Sequence, residues 1–121
     1  MPGIVKFLLA VLILTTTPAH AADKKGNYAV WGIGQKSCFS YTKARTANQY
    51  EDYKAYLMGY LTAYNTETKE TYSVTGTNKL EAVLGWMDDH CRTAGVESFE
   101  HALKSLTQAM QDQKLKEAAT P

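Results

Sequence analysis

The stretch Asn48-Gln49-Tyr50-Glu51-Asp52-Tyr53-Lys54-Ala55-Tyr56-Leu57-Met58-Gly59-Tyr60-Leu61-Thr62-Ala63-Tyr64 decides the fold class. At about 100° per residue, Tyr50, Tyr53, Tyr56, Leu57, Tyr60, Leu61 and Tyr64 fall within one arc of about 140°, with Lys54 and Thr62 outside it. Asn48 and Glu51 have the spacing of a capping box, and Asp52 adds a favourable charge to the first turn. The spacing predicts an amphipathic helix over 49–64. Five tyrosines on one face suit either a stacking platform for a partner or a core stripe whose hydroxyls reach its rim. The core stripe is the preferred reading, with Tyr50 and Tyr56 the outermost of the set and hence candidate partner contacts.

Two further helices are expected C-terminal to this one. Asn78 and Glu81 repeat the capping-box spacing, Gly95 stands where a left-handed C-terminal cap is expected, and Leu80, Val83, Leu84, Met87 and Cys91 share one face of a helix over 79–92. Ser98 then caps a helix over 99–113, with Phe99, Ala102, Leu103, Leu106, Ala109 and Met110 inward and Glu100 and Lys104 forming an outward i,i+4 pair. The polar, Thr-rich stretch 65–77 between the first two helices has no 3.6-residue stripe. It reads either as a binding loop or as an excursion pinned down by Tyr72 and Val74, and both residues are candidate partner contacts. Residues 37–45, with Phe39 and Tyr41, predict a short helical segment around Cys38. Residues 114–121 read as a charged, frayed tail.

Towards the N-terminus, Tyr28-Ala29-Val30-Trp31-Gly32-Ile33-Gly34 carries two glycines that argue against a regular helix. Residues 22–37 read as an extended arm with Val30, Trp31 and Ile33 available to a core. Gly32-Ile33-Gly34 lacks the third glycine and the strand and helix of a dinucleotide-binding turn. Before the arm, Lys6, the apolar run 7–14, Pro18 and Ala19-His20-Ala21 have the layout of a secretory signal peptide over 1–21, too short in its apolar part for a stable membrane span. Cleavage after Ala21 would leave 100 of the 121 residues, and loss of Lys6 would leave 12 Lys and Arg against 12 acids. A net charge of zero gives no footing for nucleic acid or an anionic membrane. Export to an oxidising space pairs the two cysteines, Cys38 and Cys91, in a structural disulfide. The expected fold is all-α, a small four-helix-type orthogonal bundle over 38–113 with one disulfide and an extended N-terminal arm.

Asp88-Asp89-His90-Cys91 is the one run resembling a ligand cluster. On a helix Asp88 and His90 stand about 160° apart, so they do not converge on one ion. Asp88 suits pairing with Arg92 and His90 suits packing beside Trp86, while His101 falls on the polar face of the last helix. Gly-x-Ser-x-Gly, a Ser–His arrangement and a phosphate-cradling glycine loop are absent. No catalytic residue, metal ligand or cofactor is therefore expected, and the protein is read as acting by binding another protein.

Lys36-Ser37-Cys38, the helix ending Leu57-Met58-Gly59-Tyr60-Leu61, the helix ending Trp86-Met87-Asp88-Asp89-His90-Cys91 and the Ser98-Phe99 start resemble the small single-disulfide periplasmic proteins of the HdeA-like group. A second resemblance is to the periplasmic immunity proteins that neutralise type VI secretion amidases. The first resemblance implies a periplasmic stress holdase. In acid the 12 carboxylates of the cleaved chain would lose their charge while 12 Lys and Arg and two His remain, taking it towards +14 and exposing Tyr, Leu and Met faces to clients. The second implies an inhibitor that plugs an amidase with the 65–77 loop.

Overall fold

A computed structural model describes residues 10–11 and 22–119. The expected signal peptide, apart from Ala10 and Val11, lies outside the described residues. The described chain is all-helical: α1 (Cys38–Thr46), α2 (Glu51–Glu67), α3 (Leu80–Thr93) and α4 (Phe99–Ala109), with 3-10 turns at Gly32–Gln35 and Gln111–Gln113. Among the described residues there is no strand, and no helix is long and apolar enough to cross a membrane.

The helices α1 and α4 begin against each other. Ser37 and Ser98 are both extended, each accepts a hydrogen bond from a backbone N–H of its own first turn, and the two form an antiparallel bridge. The Cys38 N–H donates to the Glu97 carbonyl and the Phe99 N–H to the Lys36 carbonyl, both at 2.7 Å, while the Phe39 N–H reaches the Gly95 carbonyl at 2.9 Å. Amide groups that a helix start leaves without partners are thus satisfied by the neighbouring cap. The Cys38–Cys91 disulfide, with its Cα atoms 4.9 Å apart, ties the same end of α1 to the last turns of α3.

The core forms around an aromatic triangle. Tyr41 of α1, Tyr53 of α2 and Phe99 of α4 have ring centroids 5.0–5.6 Å apart, two of the three pairs edge to face. Leu57, Leu84, Met87, Leu103, Leu106 and Val74 complete it. The tyrosine stripe of α2 does face this core: Tyr53 and Leu57 are buried, and Tyr50, Tyr56, Tyr60, Leu61 and Tyr64 pack half-buried against it. On α3 the expected face is also the buried one.

Several local expectations need correction. Asn48 does not cap α2, which begins at Glu51 with no side-chain cap. It stands at φ +54° just after α1, where the Gln49 N–H returns to the Ala44 carbonyl, so it serves the end of one helix rather than the start of the next. Asn78 does not cap α3, because its side chain turns away to the Thr75 carbonyl and Gln113. Gly95 is not left-handed; its part is to present the carbonyl that receives Phe39. On α4, Ala109 is exposed, and Glu100, expected outward, is buried.

Two segments are more ordered than their composition suggests. The arm is not extended throughout: it closes in the 3-10 turn Gly32–Gln35, with Trp31 exposed and Gly34 pressed against the Tyr56 ring so closely that a Cβ would meet it. The tail is not frayed at its start, because Leu115 exchanges backbone hydrogen bonds with Ser73 at 2.9 and 3.1 Å.

Replacing both Cys38 and Cys91 with serine opens a cross-link spanning 53 residues. The double variant should lose roughly 4 kcal/mol of stability, read as a lower urea midpoint than that of the oxidised wild type.

Candidate functional site

The four residues singled out as partner contacts do not form one patch. Val74 is fully buried and anchors its loop in the core, its N–H held by Asn65 Oδ1 at 2.8 Å, whereas Tyr72 beside it is 56 % exposed. Tyr50 and Tyr56 sit on different grooves, one facing α1 and α3, the other facing the arm and α4.

The first groove holds a polar clamp between α1 and α3. Arg45 Nε and Nη2 donate to the two oxygens of Asp88 at 2.9 and 2.8 Å, a bidentate pair, and the Tyr41 hydroxyl donates to Asp88 Oδ1 at 2.8 Å. The Tyr50 ring covers the Arg45 guanidinium at 4.5 Å. Asp88 therefore does not pair with Arg92, which reaches Asp89 instead. Burial pushes the Asp88 carboxyl up, but the hydrogen bonds from Arg45 and Tyr41 and the nearby positive charges outweigh it, and the net shift is below the ordinary carboxylate value. Burial, then the bond to Asp88, raises the Tyr41 phenol far above its usual range, so it stays a donor.

Two residues on from Asp88 along α3, His90 stacks on Trp86 with centroids 4.9 Å apart, as the i,i+4 spacing suggests. His90 Nε2 faces Glu97 Oε2 at 2.9 Å, and His101 Nε2 lies 3.4 Å from the other oxygen, Oε1. Both imidazoles thus turn the same nitrogen to one carboxylate. Among the described residues no group of three or more His, Cys, Asp or Glu is placed to hold a metal ion.

The second groove was not legible as a site in the sequence. Tyr28, Trp31, Tyr56, Tyr60, Glu100 and Lys104 surround about 550 Å³ of open space between the arm, α2 and α4. Glu100, only 7 % exposed, accepts from the Tyr28 hydroxyl at 3.1 and 3.2 Å. A usable signal did exist. Glu100, Leu103 and Thr107 lie along one line of α4, and the last two are buried as well.

No family model, curated protein or solved structure matches the chain.

The clamp has a definite pH signature. A carboxyl whose folded value is depressed contributes stability above its unfolded value and loses it as pH falls through the folded one. Asp88→Asn should cost about 1–2 kcal/mol at pH 7, allowing for partial exposure. Against wild type the difference should shrink as the pH falls below the ordinary carboxylate range, as urea unfolding at pH 7 and at a series of acid pH values would show.

Proposed function

We propose that the chain is an exported, non-enzymatic binding protein that works in the periplasm as an acid-responsive holdase of the HdeA-like kind. The observation that carries this reading is the placement of the Arg45–Asp88–Tyr41 clamp on the same helix pair as the disulfide. Protonation of Asp88 removes the negative charge that holds Arg45 and one of the two oxygens that accept from it, while the covalent link stays. α1 can then swing from α3 without leaving it, opening the faces built from Tyr41, Leu84 and Met87. The charge imbalance created by neutralising the carboxylates drives the opening, and the disulfide limits it and supports reclosure on return to neutral pH.

Tyr72 favours a second reading. It is an exposed aromatic side chain on a loop whose backbone is fastened to Leu115 and whose neighbour Val74 is buried, so it is presented from a fixed frame. That suits an anchor in a partner's pocket, as an immunity protein against a cell-wall amidase would need.

The two readings part on pH. A holdase should suppress aggregation of an unrelated client enzyme at pH 2–3, with dye binding to newly exposed apolar surface, and should release the client on neutralisation. A native state that keeps its near-ultraviolet circular dichroism at pH 2 and protects no client overturns it. A one-to-one complex with a secreted amidase at pH 7, lost on Tyr72→Ala, would establish the rival instead.

A further inference from the structure

The groove floored by Glu100 contains an imbalance that the packing around it does not resolve. Glu100 is buried in the first turn of α4, two residues after its Ser98 cap. The first turn of a helix is a favourable place for a carboxylate. An ionised carboxylate offers about four acceptor positions, yet among the described residues both Glu100 oxygens share a single side-chain donor, the Tyr28 hydroxyl. No Lys, Arg or His forms an ion pair with it there. Lys104, one turn along, lies on the rim with its ammonium 5.7 Å from the centroid of the Tyr28 ring. Asp88 makes the contrast plain, since it carries a bidentate guanidinium and a phenol.

What surrounds Glu100 is aromatic. Tyr28, Tyr56, Tyr60 and the 81 % exposed Trp31 wall the groove. The phenols of Tyr28, Tyr56 and Tyr60 are all raised, first by burial and then by the negative charge of Glu100, so the carboxylate field extends across the groove. A buried anion with vacant acceptor positions, ringed by the electron-rich faces of aromatic rings, is complementary to an organic cation. Vacant lone pairs call for N–H donors, which a primary ammonium has and a quaternary one lacks. The available volume, about 550 Å³, takes a small molecule or one long side chain but not a folded element.

We propose that this groove binds a primary alkylammonium group, its nitrogen against Glu100 and its alkyl stem across Tyr56, Tyr60 and Trp31. A lysine side chain of a polypeptide and a free diamine carry this same chemistry. The site is separate from the Arg45–Asp88 clamp and is competent at neutral pH, so it stands or falls independently of the holdase reading.

The test is a titration of the full chain at pH 7, followed through the Trp31 indole N–H in nitrogen-edited NMR. The probes are 1,4-diaminobutane, N-acetyl-lysine methylamide and, as the uncharged isostere, 1-butanol. Both amines, or one of them, should give saturable shifts at Trp31 that butanol does not. The stronger of the two identifies the natural source as a free diamine or a lysine side chain. Glu100→Gln should weaken amine binding at least about tenfold. Trp31→Ala, at a position too exposed to matter for folding, should weaken it about threefold or more. Lys104→Ala should leave binding unchanged or tighter. Shifts that fail to saturate, equal binding of butanol, retention of affinity in either Glu100→Gln or Trp31→Ala, or loss of binding in Lys104→Ala would each overturn the proposal.

Discussion

The rest of the structure depends on the junction where α1 and α4 start. An isolated helix N-terminus leaves several amide groups without acceptors. Here two helix starts lie side by side, and Lys36, Gly95 and Glu97 lend their carbonyls while Ser37 and Ser98 cap their own turns. Because Cys38 is the first residue of α1, the disulfide to Cys91 acts at the same point. One corner therefore sets the position of three helices. Phe99, fixed by its bond to the Lys36 carbonyl, is delivered directly into the aromatic triangle with Tyr41 and Tyr53. That is how α2 is drawn to the others.

The corner is built from backbone bonds and a covalent link, neither of which titrates in the acid range. A charged contact that acid can break, Arg45–Asp88, lies near the other end of α1, while the side chain of Glu97, at the corner, faces His90 and His101. Roughly two turns separate Cys38 from Arg45 on α1. A helix held covalently at one end and electrostatically at the other has a natural hinge at the held end. On the proposed holdase reading, opening in acid would begin at the C-terminal end of α1, and Tyr41, whose hydroxyl donates to Asp88 and to the Leu84 carbonyl, would follow.

The fold class was legible because it rests on periodicity. The stripes of α2 and α3 follow from spacing alone, the Ser98 cap from residue type at a helix start, and the Cys38–Cys91 pairing from there being two cysteines in a chain with an export-type leader. Helix starts read less well, for a physical reason. Asn48 and Asn78 have the side chains and spacing of caps, but tertiary neighbours claimed them, one for the left-handed turn closing α1 and the other for Thr75 and Gln113. Capping preference is worth about 1 kcal/mol, so competing contacts readily override it. The order of the tail was invisible for a similar reason, since Leu115 is held by Ser73, some forty positions away. The site was least legible. Sequence alone leaves Val74 open as a partner contact or an anchor, and its burial makes it the anchor; the i,i+4 lysine of Glu100 offers a local partner that hides its inward placement.

The two carboxylates that matter illustrate opposite uses of burial. Asp88 is nearly saturated: two guanidinium bonds and a phenol bond fill its lone pairs, and its negative charge is cancelled within the fold. Such a group contributes to structure and responds chiefly to pH. Glu100 is more deeply buried yet holds one neutral donor. Burying a charge without a counter-charge is unfavourable in proportion to the water removed, and a fold shaped only for stability would place a leucine there or swing Lys104 onto it. Lys104 is within reach on the same face and stays on the rim over Tyr28. The charge is tolerated because the α4 N-terminus offsets part of its cost and because the groove leaves an open approach on one side. A carboxylate kept buried, without a counter-charge and beside an open groove is arranged for something that arrives from solution.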